Sequence, residues 1–249
     1  KVQIICVLSV DETLAEKATD FSDMASLCKN QKIPYLRSDS FRLSNLSADI
    51  SKTLSDCDVL LVYGWQMLIE EAVLSLPRYG AFGVHGGPYP PPRCRGRAGF
   101  NWALLSGEEY FHMYVFKLSA GTDDGDIFGI KSFTISPVDD IQSVLHKSSV
   151  ISCQLFVELL SKLENGVVNG LPQSESGATY LPGRRPEHSG ISWKKSAHEI
   201  DRLIRAVGAP YSGAFSFHGE SKITIRRAQV FDVGISFDKQ PGEIVFSFP

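Results

Sequence analysis

The stretch Gly80-Ala81-Phe82-Gly83-Val84-His85-Gly86-Gly87-Pro88-Tyr89-Pro90-Pro91-Pro92-Arg93-Cys94-Arg95-Gly96-Arg97-Ala98 contains one histidine, four prolines within five positions and an Arg-Gly-Arg turn. Proline fixes φ and lacks an amide hydrogen, so the proline-rich part forms neither a helix nor a central strand. The apolar run Val59-Leu60-Leu61-Val62 upstream is typical of a buried strand. We therefore predict a strand over residues 81–85 that runs into a stiff loop at a sheet edge, where α/β proteins bind ligands.

The segments around this loop alternate between strand-like and helix-like patterns. Strands are expected over residues 3–10, 33–36, 58–63, 111–118 and 128–135. Helices are expected over residues 12–31, 49–57, 98–105 and 141–164, with one or two helical turns over 69–75. The longest helix has Asp140 as its N-cap and ends at Asn165-Gly166. This alternation predicts a Rossmann-like, doubly wound, mostly parallel sheet with helices on both faces.

Polar segments rich in glycine and proline follow the longest helix, at residues 173–177 and 182–190. Such segments are typical of linkers, and they divide the chain into a first domain, residues 1–177, and a second, residues 178–249. The second domain is expected to contain a helix over 197–207 and strands over 214–217, 222–226 and 243–248. It is therefore a small, β-rich subdomain.

Composition excludes several classes of protein. The chain has 249 residues, a net charge of −3, 43% hydrophobic residues and 21% charged residues, which leaves no basic footprint for sequence-independent nucleic-acid binding. Charges or glycines interrupt the longer apolar stretches, so no membrane span is expected, and residues 1–8 do not have the pattern of a signal peptide. The five cysteines show no zinc-binding spacing, which favours free thiols in the cytoplasm and predicts no metal site.

Three features call for a chemical account, and each has a plainer alternative. His85 is either a catalytic imidazole or a buried structural residue. The turn Gly121-Thr122-Asp123-Asp124-Gly125-Asp126-Ile127 is a solvated turn, a calcium loop without the usual ligand spacing, or the source of a carboxylate partner for His85. Arg93, Arg95 and Arg97 form either a solvated basic rim or a clamp for phosphate.

Together the three features can form one site for group transfer. A carboxylate beside an imidazole fixes its tautomer and stabilises its protonated form. Such a histidine can accept a proton from an attacking amine or polarise a carbonyl, while the arginines hold a phosphorylated substrate. No serine, cysteine or lysine is placed as a nucleophile, so direct transfer between two bound substrates is favoured over a covalent intermediate.

The order of motifs along nearly the whole chain resembles the 10-formyltetrahydrofolate-dependent formyltransferases, which include methionyl-tRNA and amino-sugar members. The motifs of the first domain are Asp58-Val59-Leu60-Leu61-Val62-Tyr63-Gly64, Leu76-Pro77-Arg78-Tyr79-Gly80, Val84-His85-Gly86, Arg95-Gly96-Arg97-Ala98-Gly99-Phe100-Asn101-Trp102-Ala103 and Thr122-Asp123-Asp124-Gly125-Asp126-Ile127. Those of the second domain are Ala178-Thr179-Tyr180, Ile191-Ser192-Trp193, Ile204-Arg205-Ala206 and Pro210-Tyr211-Ser212-Gly213-Ala214-Phe215. Each motif is weak alone, but their order and spacing are specific.

The resemblance implies a catalytic first domain, an OB-like barrel in the second, and transfer of a formyl group from 10-formyltetrahydrofolate to a primary amine. It assigns His85 and Asp123 as catalytic residues, and Gly83 stands where the family has a catalytic asparagine. It assigns Asp124 and Asp126 to the turn. Folate contacts are implied for Tyr63, Gly64, Trp65, Met67, Leu68, Gly121 and Thr122. Our own hypothesis adds substrate contacts for Tyr89, Arg93 and Arg95, in which Arg93, Arg95 or Arg97 lies near a diphosphate and Tyr89 or Trp65 stacks on a base or the pterin.

The sequence also departs from the family. Gly83 supplies no side-chain donor, and loss of one oxyanion donor typically costs ~2.7–4 kcal/mol of transition-state stabilisation; Asn101 is a candidate replacement. Two extra residues separate His85 from Arg95-Gly96, which suggests a different acceptor. The family's first strand has no counterpart, so we expect either that the sequence is N-terminally incomplete or that another element fills that place. The chain also stops inside what resembles the β-rich domain.

The acceptor is expected to be a nucleotide-linked amino sugar, because a tRNA-binding member needs a more basic surface than a net charge of −3 provides. Three alternatives stay open: a methionyl-tRNA formyltransferase, a catalytically impaired homologue that binds folate or a sugar nucleotide, and a plain calcium- or nucleotide-binding domain. A homodimer is compatible with the sequence.

Overall fold

The computed structural model describes residues 2–15, 21–43, 46–231, 234, 238–245 and 247. The strands are β1 Val7–Val10, β2 Tyr35–Ser38, β3 Leu60–Val62, β4 Ala81–Gly87, β5 Arg95–Gly96, β6 Tyr110–Lys117, β7 Ile127–Thr134, β8 Tyr180–Leu181, β9 Ala214–His218 and β10 Ser221–Ile225. The helices are α1 Glu12–Ala15, α2 Ala25–Gln31, α3 Ala48–Ser55, α4 Glu71–Leu74, α5 Gly99–Ser106, α6 Ile141–Glu164 and α7 Ala197–Ala206, with a 3₁₀ turn at Pro186–Ser189.

The central sheet has four strands in the order β3-β4-β6-β7. Strand β3 is parallel to β4, but β4 with β6 and β6 with β7 are antiparallel. The prediction of a mostly parallel sheet is therefore wrong for this sheet, which is mixed. Residues 118–126 are too few to form the crossover that a parallel pair requires, so β7 returns beside β6 in the opposite direction.

Strands β1 and β2 form a separate parallel sheet, and among the described strands each pairs only with the other. The helix expected over residues 12–31 is not continuous: α1 ends at Ala15, α2 begins at Ala25, and residues 16–20 lie outside the described residues. The expectation of an additional strand before this sheet stays a prediction.

Helix α6 packs on one face of the central sheet and has the bounds that the sequence predicts. Asp140 caps it as expected, since its side chain accepts a hydrogen bond from the Ser143 amide at 3.0 Å. The core beneath α6 contains Phe82 and Phe128, whose rings pack edge to face at 5.0 Å. Every second residue of β4 points into this core, and the others point to the opposite face of the sheet.

The C-terminal part packs on the same core rather than apart from it. Helix α7 lies against α5, and the buried Asn101 side chain donates to the Ala206 carbonyl at 2.7 Å. Asn101 is thereby committed to this contact, so the suggestion that it replaces the donor missing at Gly83 is wrong.

Strands β9 and β10 form an antiparallel hairpin after α7. The strand expected over 243–248 is absent at residues 243–245 and 247, and residues 246, 248 and 249 lie outside the described residues. The OB-like barrel and the division after residue 177 stay predictions. Among the described helices, none combines the length and apolar character that crossing a membrane requires.

Candidate functional site

His85 lies on the face of β4 that is turned away from α6, two residues after Gly83 on the same face. Its Nε2 atom is 2.8 Å from the Cys94 carbonyl oxygen. A carbonyl oxygen only accepts hydrogen bonds, so this contact assigns the ring proton to Nε2. The other nitrogen, Nδ1, then carries the lone pair and faces Asp123, with 3.6 Å between Nδ1 and Oδ2.

Both glycines at the end of β4 permit close packing. A Cβ atom on Gly86 would lie 2.5 Å from Phe111, and one on Gly87 would lie 2.4 Å from the Cys94 Cβ. Only glycine tolerates such close approach. Gly87 therefore allows the proline-rich loop to return to β4, where the Cys94 carbonyl contacts the His85 ring.

Asp123 is held in place by its backbone and its side chain. It adopts a left-handed conformation with φ of 52°, which aspartate tolerates better than most residues. The Gly96 amide donates to its Oδ2 atom at 2.8 Å, and the Gln173 side chain donates to its carbonyl at 2.9 Å. Asp124 instead accepts a hydrogen bond from Ser119 within the turn. The structure thus directs Asp123, and not its neighbour, towards His85.

The His85–Asp123 pair has the arrangement that general base catalysis needs. The two side chains are 16% and 20% exposed, so a small group can reach them from solvent while most bulk water is excluded. A proton accepted by Nδ1 would lie between the ring and the Asp123 carboxylate. The pair can therefore accept a proton from a group bound beside it and return that proton.

Tyr114 joins this group although the sequence analysis did not select it. It pairs directly with His85 across β4 and β6, and the two rings pack edge to face at 5.6 Å. The side chain is 1% exposed, and its hydroxyl has no hydrogen-bond partner in the described part of the chain. Burial raises the pKa of this phenol, and the charge of Asp123 raises it further, so the hydroxyl stays protonated at neutral pH.

Arg95 does not have the role that the sequence predicts. It is fully buried, and its Nη1 atom donates to Glu175 at 2.9 Å and to the Tyr180 hydroxyl at 3.2 Å. Because its buried guanidinium is already paired with Glu175 and Tyr180, Arg95 is not free to bind a substrate phosphate, so that assignment is wrong. Arg95 instead fastens the loop to the linker, where β5 pairs with β8, and it thereby helps to hold the Gly96 amide on Asp123.

Arg93 and Tyr89 remain at the surface of the proline-rich loop. The Arg93 guanidinium lies over the Tyr89 ring at 4.5 Å, and the Tyr89 hydroxyl donates to Glu108 at 2.7 Å. Both residues keep exposed surface, so they are available to an acceptor. No contact between either residue and His85 is present among the described contacts.

The residues predicted to contact folate follow β3, whose carboxyl end lies beside Gly83 because Val62 pairs with Gly83. Met67 and Leu68 are exposed apolar side chains, and Tyr63 bonds to Ser149 at 2.9 Å while staying largely exposed. Trp65 is committed elsewhere, since its indole nitrogen donates to the Phe41 carbonyl at 3.0 Å. The segment after β3 therefore exposes apolar side chains beside the strand that carries Gly83 and His85.

The remaining predicted residues shape the backbone around the site. Gly64 has a φ of 67°, which favours glycine and turns the chain after β3. The Gly121 amide donates to Ser119 at 3.2 Å, and Thr122 precedes Asp123 in the same turn. Among the described residues, no group of three or more histidine, cysteine, aspartate or glutamate side chains is placed to hold a metal ion.

Two family models match this chain. The model described as formyl transferase matches residues 1–160, and the model described as formyl transferase, C-terminal domain, matches residues 184–247. Together they include His85, Asp123, Tyr114 and helix α7.

Solved structures share the fold at low sequence identity. HypX from Aquifex aeolicus, which has also been solved with tetrahydrofolic acid, aligns with a TM-score of 0.70 and 16% identity over 97% of this chain and 42% of that chain. Methionyl-tRNA formyltransferase from Clostridium thermocellum aligns with a TM-score of 0.66 and 19% identity over 91% of this chain and 93% of that chain.

A third structure is WlaRD, a sugar 3N-formyl transferase solved in the presence of dTDP and 5-N-formyl-THF. It aligns with a TM-score of 0.55 and 16% identity over 74% of this chain and 62% of that chain. The chain spans less than two thirds of the length of HypX and of WlaRD. At these identities the likeness shows the fold alone.

Proposed function

This chain belongs to the formyl transferase family, and on that premise we propose that it transfers a formyl group from 10-formyltetrahydrofolate to the primary amine of a nucleotide-linked amino sugar. The observation that carries the proposal is the 3.6 Å approach of His85 Nδ1 to Asp123 Oδ2 at the edge of the sheet. Formyl transfer to an amine requires a base at this point, because the attacking nitrogen must lose a proton.

In the proposed reaction, the amine forms a new C–N bond to the formyl carbon, and the bond from that carbon to N10 of the folate breaks. His85 accepts the proton that the amine loses and returns it to the departing nitrogen, so the overall reaction conserves protons. Asp123 stabilises the protonated imidazole through its charge. The Cys94 carbonyl keeps the ring in the tautomer that leaves Nδ1 free for this step.

Folate is the proposed donor because the edge beside Gly83 suits a flat, partly apolar ring. Residues 63–68 follow β3 beside Gly83, residues 119–123 end at Asp123, and Met67 and Leu68 expose apolar side chains. HypX has been solved with tetrahydrofolic acid and WlaRD in the presence of 5-N-formyl-THF, which supports a folate for this chain as well.

The acceptor is proposed from the surface of the proline-rich loop. The guanidinium of Arg93, an exposed arginine of this loop, lies over the exposed ring of Tyr89 at 4.5 Å. A guanidinium next to an aromatic ring suits a nucleoside diphosphate, which offers both a base and phosphate oxygens. A net charge of −3 is less suited to the phosphate backbone of tRNA.

A donor–acceptor assay tests this function directly. The chain is incubated with 10-formyltetrahydrofolate and, in separate reactions, with dTDP- and UDP-linked amino sugars and with charged initiator tRNA. We expect one amino sugar to gain a formyl group by mass spectrometry, and the tRNA to gain none. Transfer to the tRNA alone would replace the proposed acceptor, and transfer to none of them would favour a folate-binding protein without activity.

The inactive homologue is the second candidate, and Gly83 is the residue that raises it. A Cβ atom at this position would meet only the flexible end of Leu118, at 2.9 Å, so Gly83→Asn fits after a small movement of that side chain. If the site has decayed, this variant gains activity by roughly 100-fold or more. If the site works through another donor, the variant gains nothing.

A further inference from the structure

The proposed reaction places negative charge on the formyl oxygen, and such charge needs a hydrogen-bond donor close to it. Gly83, two residues before His85 on the same face of β4, has no side chain that could donate a hydrogen bond. The nearby donors are mostly occupied: the Gly96 amide bonds to Asp123, the Gln173 amide bonds to two carbonyls, and the Nε2 proton of His85 bonds to Cys94. The formyl oxygen therefore needs a donor that has no partner within the protein.

Two buried donors near this site lack a partner among the described residues, the Tyr114 hydroxyl and the Nε atom of Arg95. The Arg95 guanidinium is held on the side of the linker by Glu175, Gln173 and Tyr180. Tyr114 instead pairs with His85 in the strand register and shares the sheet face of Gly83. Tyr114 is thus the better placed of the two donors for a group bound at His85.

The surroundings of Tyr114 keep its hydroxyl fixed and neutral. Its ring packs on His85 at 5.6 Å and on Phe116 at 5.4 Å, so the side chain has little freedom to turn. The charged or titratable groups that act on it are Asp123, Arg95 and Cys94, which surround the same site. Because burial opposes ionisation, the phenol keeps its proton and remains a donor.

We propose that the Tyr114 hydroxyl donates a hydrogen bond to the formyl oxygen during transfer and so supplies the donor that Gly83 does not. The proposal rests on the proposed function. It gives Tyr114 the role of a catalytic residue that contacts the transferred group. A buried hydroxyl without a partner costs free energy that a phenylalanine at this position would not, and the proposed contact gives this hydroxyl a partner.

The test compares Tyr114→Phe with the matched control Tyr110→Phe, which removes a hydroxyl from the exposed start of the same strand. We expect Tyr114→Phe to lower kcat about 100- to 1000-fold and to change KM for either substrate by less than about threefold. Its melting temperature should not fall, because the change removes an unpaired buried polar group. The control should keep full activity. A kcat within about threefold of the wild-type value for Tyr114→Phe would overturn the proposal.

A second measurement separates this proposal from the proposed function. The carbonyl stretch of bound 10-formyltetrahydrofolate, labelled with ¹³C in the formyl group, is recorded by isotope-edited infrared spectroscopy. A hydrogen bond from Tyr114 shifts this band to lower frequency, and Tyr114→Phe should reverse the shift while Tyr110→Phe should not. Equal band positions in all three proteins would refute the role of Tyr114 even if formyl transfer is observed. A wild-type protein that neither transfers the formyl group nor binds the folate would instead refute the proposed function, and the role of Tyr114 with it.

Discussion

The two faces of strand β4 differ sharply although they alternate residue by residue. On one face, Phe82 and Val84 pack under α6 in an apolar core. On the other, Gly83 and His85 stand beside Tyr114 and Asp123, with polar groups held by specific hydrogen bonds. Burial of apolar side chains on the first face stabilises the fold, whereas burial of polar groups on the second face costs free energy. Because side chains alternate along a strand, β4 places apolar side chains under α6 and the candidate site on the opposite face.

The proline-rich loop contacts His85 on the second face, and residues 173–181 hold this loop in place. Arg95 is as buried as the apolar core, yet it lies among polar partners that join the loop to residues 173–181. Its ion pair with Glu175 has one fully buried and one largely exposed partner. On this face of the sheet, the hydrogen bonds of Arg95 lie beside a small apolar cluster of Tyr114, Phe116 and Ile127.

The largest expected effect comes from removing the imidazole on the second face. His85→Ala should lower formyl transfer by about 10²- to 10⁴-fold, because a positioned general base contributes about that factor. Denaturant unfolding should change by less than about 1 kcal/mol, since the side chain is partly exposed and is not part of the core. His218→Ala, at an exposed position in β9, is the matched control and should keep full activity. A large loss of stability in His85→Ala would contradict the division between the faces.

Phe82 tests the opposite face of the same strand. Phe82→Ala should cost about 3–5 kcal/mol in free energy of unfolding, because it removes a buried ring from under α6. Folate affinity per folded molecule should stay close to the wild-type value. Phe217→Ala, which truncates an exposed ring, should cost less than about 1 kcal/mol. The measurement is chemical denaturation with calorimetric folate titration, and a selective loss of folate affinity would break the comparison.

A smaller effect is expected at Asp139, a buried carboxylate just before α6. Burial opposes the charge of Asp139, but hydrogen bonds from Lys147 at 2.6 Å and from the Ser136 amide at 2.7 Å outweigh it and lower its pKa to about 2. Because the pKa of Asp139 is lower in the folded protein, its carboxylate stabilises the fold when the pH is above the ordinary pKa of about 4. This stability is lost as the pH falls from about 4 through about 2.

Asp139→Asn should therefore lose about 2 kcal/mol at neutral pH and less in acid. Unfolding curves across this pH range check the prediction. Glu220→Gln, at an exposed position in the turn before β10, should leave both the stability and its pH dependence unchanged. An equal loss for Asp139→Asn at pH 2 and pH 7 would show that the carboxylate charge does not contribute.

Most helices and strands and the approach of His85 to Asp123 could be predicted from the sequence. The residues that pair across neighbouring strands could not. The bounds of α6, its cap at Asp140 and the strand before the proline-rich loop follow from periodicity and turn chemistry. The approach of His85 to Asp123 follows from the motif order that the chain shares with its family. Tyr114 could not be selected, because its place depends on the pairing of β4 with β6, which periodicity does not specify.

The burial of Arg95 could not be predicted from the sequence for a related reason. An arginine in a proline-rich loop is expected to face solvent, and only the contact of β5 with the linker reveals that it is buried. The antiparallel direction of β7 was in principle visible in the short connection of residues 118–126, which leaves no room for a crossover.

The central claim is that the Asp123 carboxylate acts with His85 in formyl transfer, and Asp123→Asn tests it most directly. Asparagine tolerates the left-handed backbone at this position and still accepts from the Gly96 amide, so the variant removes the charge and little else. With Asp126→Asn as the control in the same turn, formyl transfer in a single turnover and folate affinity by calorimetry are measured for both. The account predicts that Asp123→Asn binds folate within about threefold of wild type but transfers the formyl group at least ~100-fold more slowly. Transfer by Asp123→Asn at the wild-type rate would contradict it.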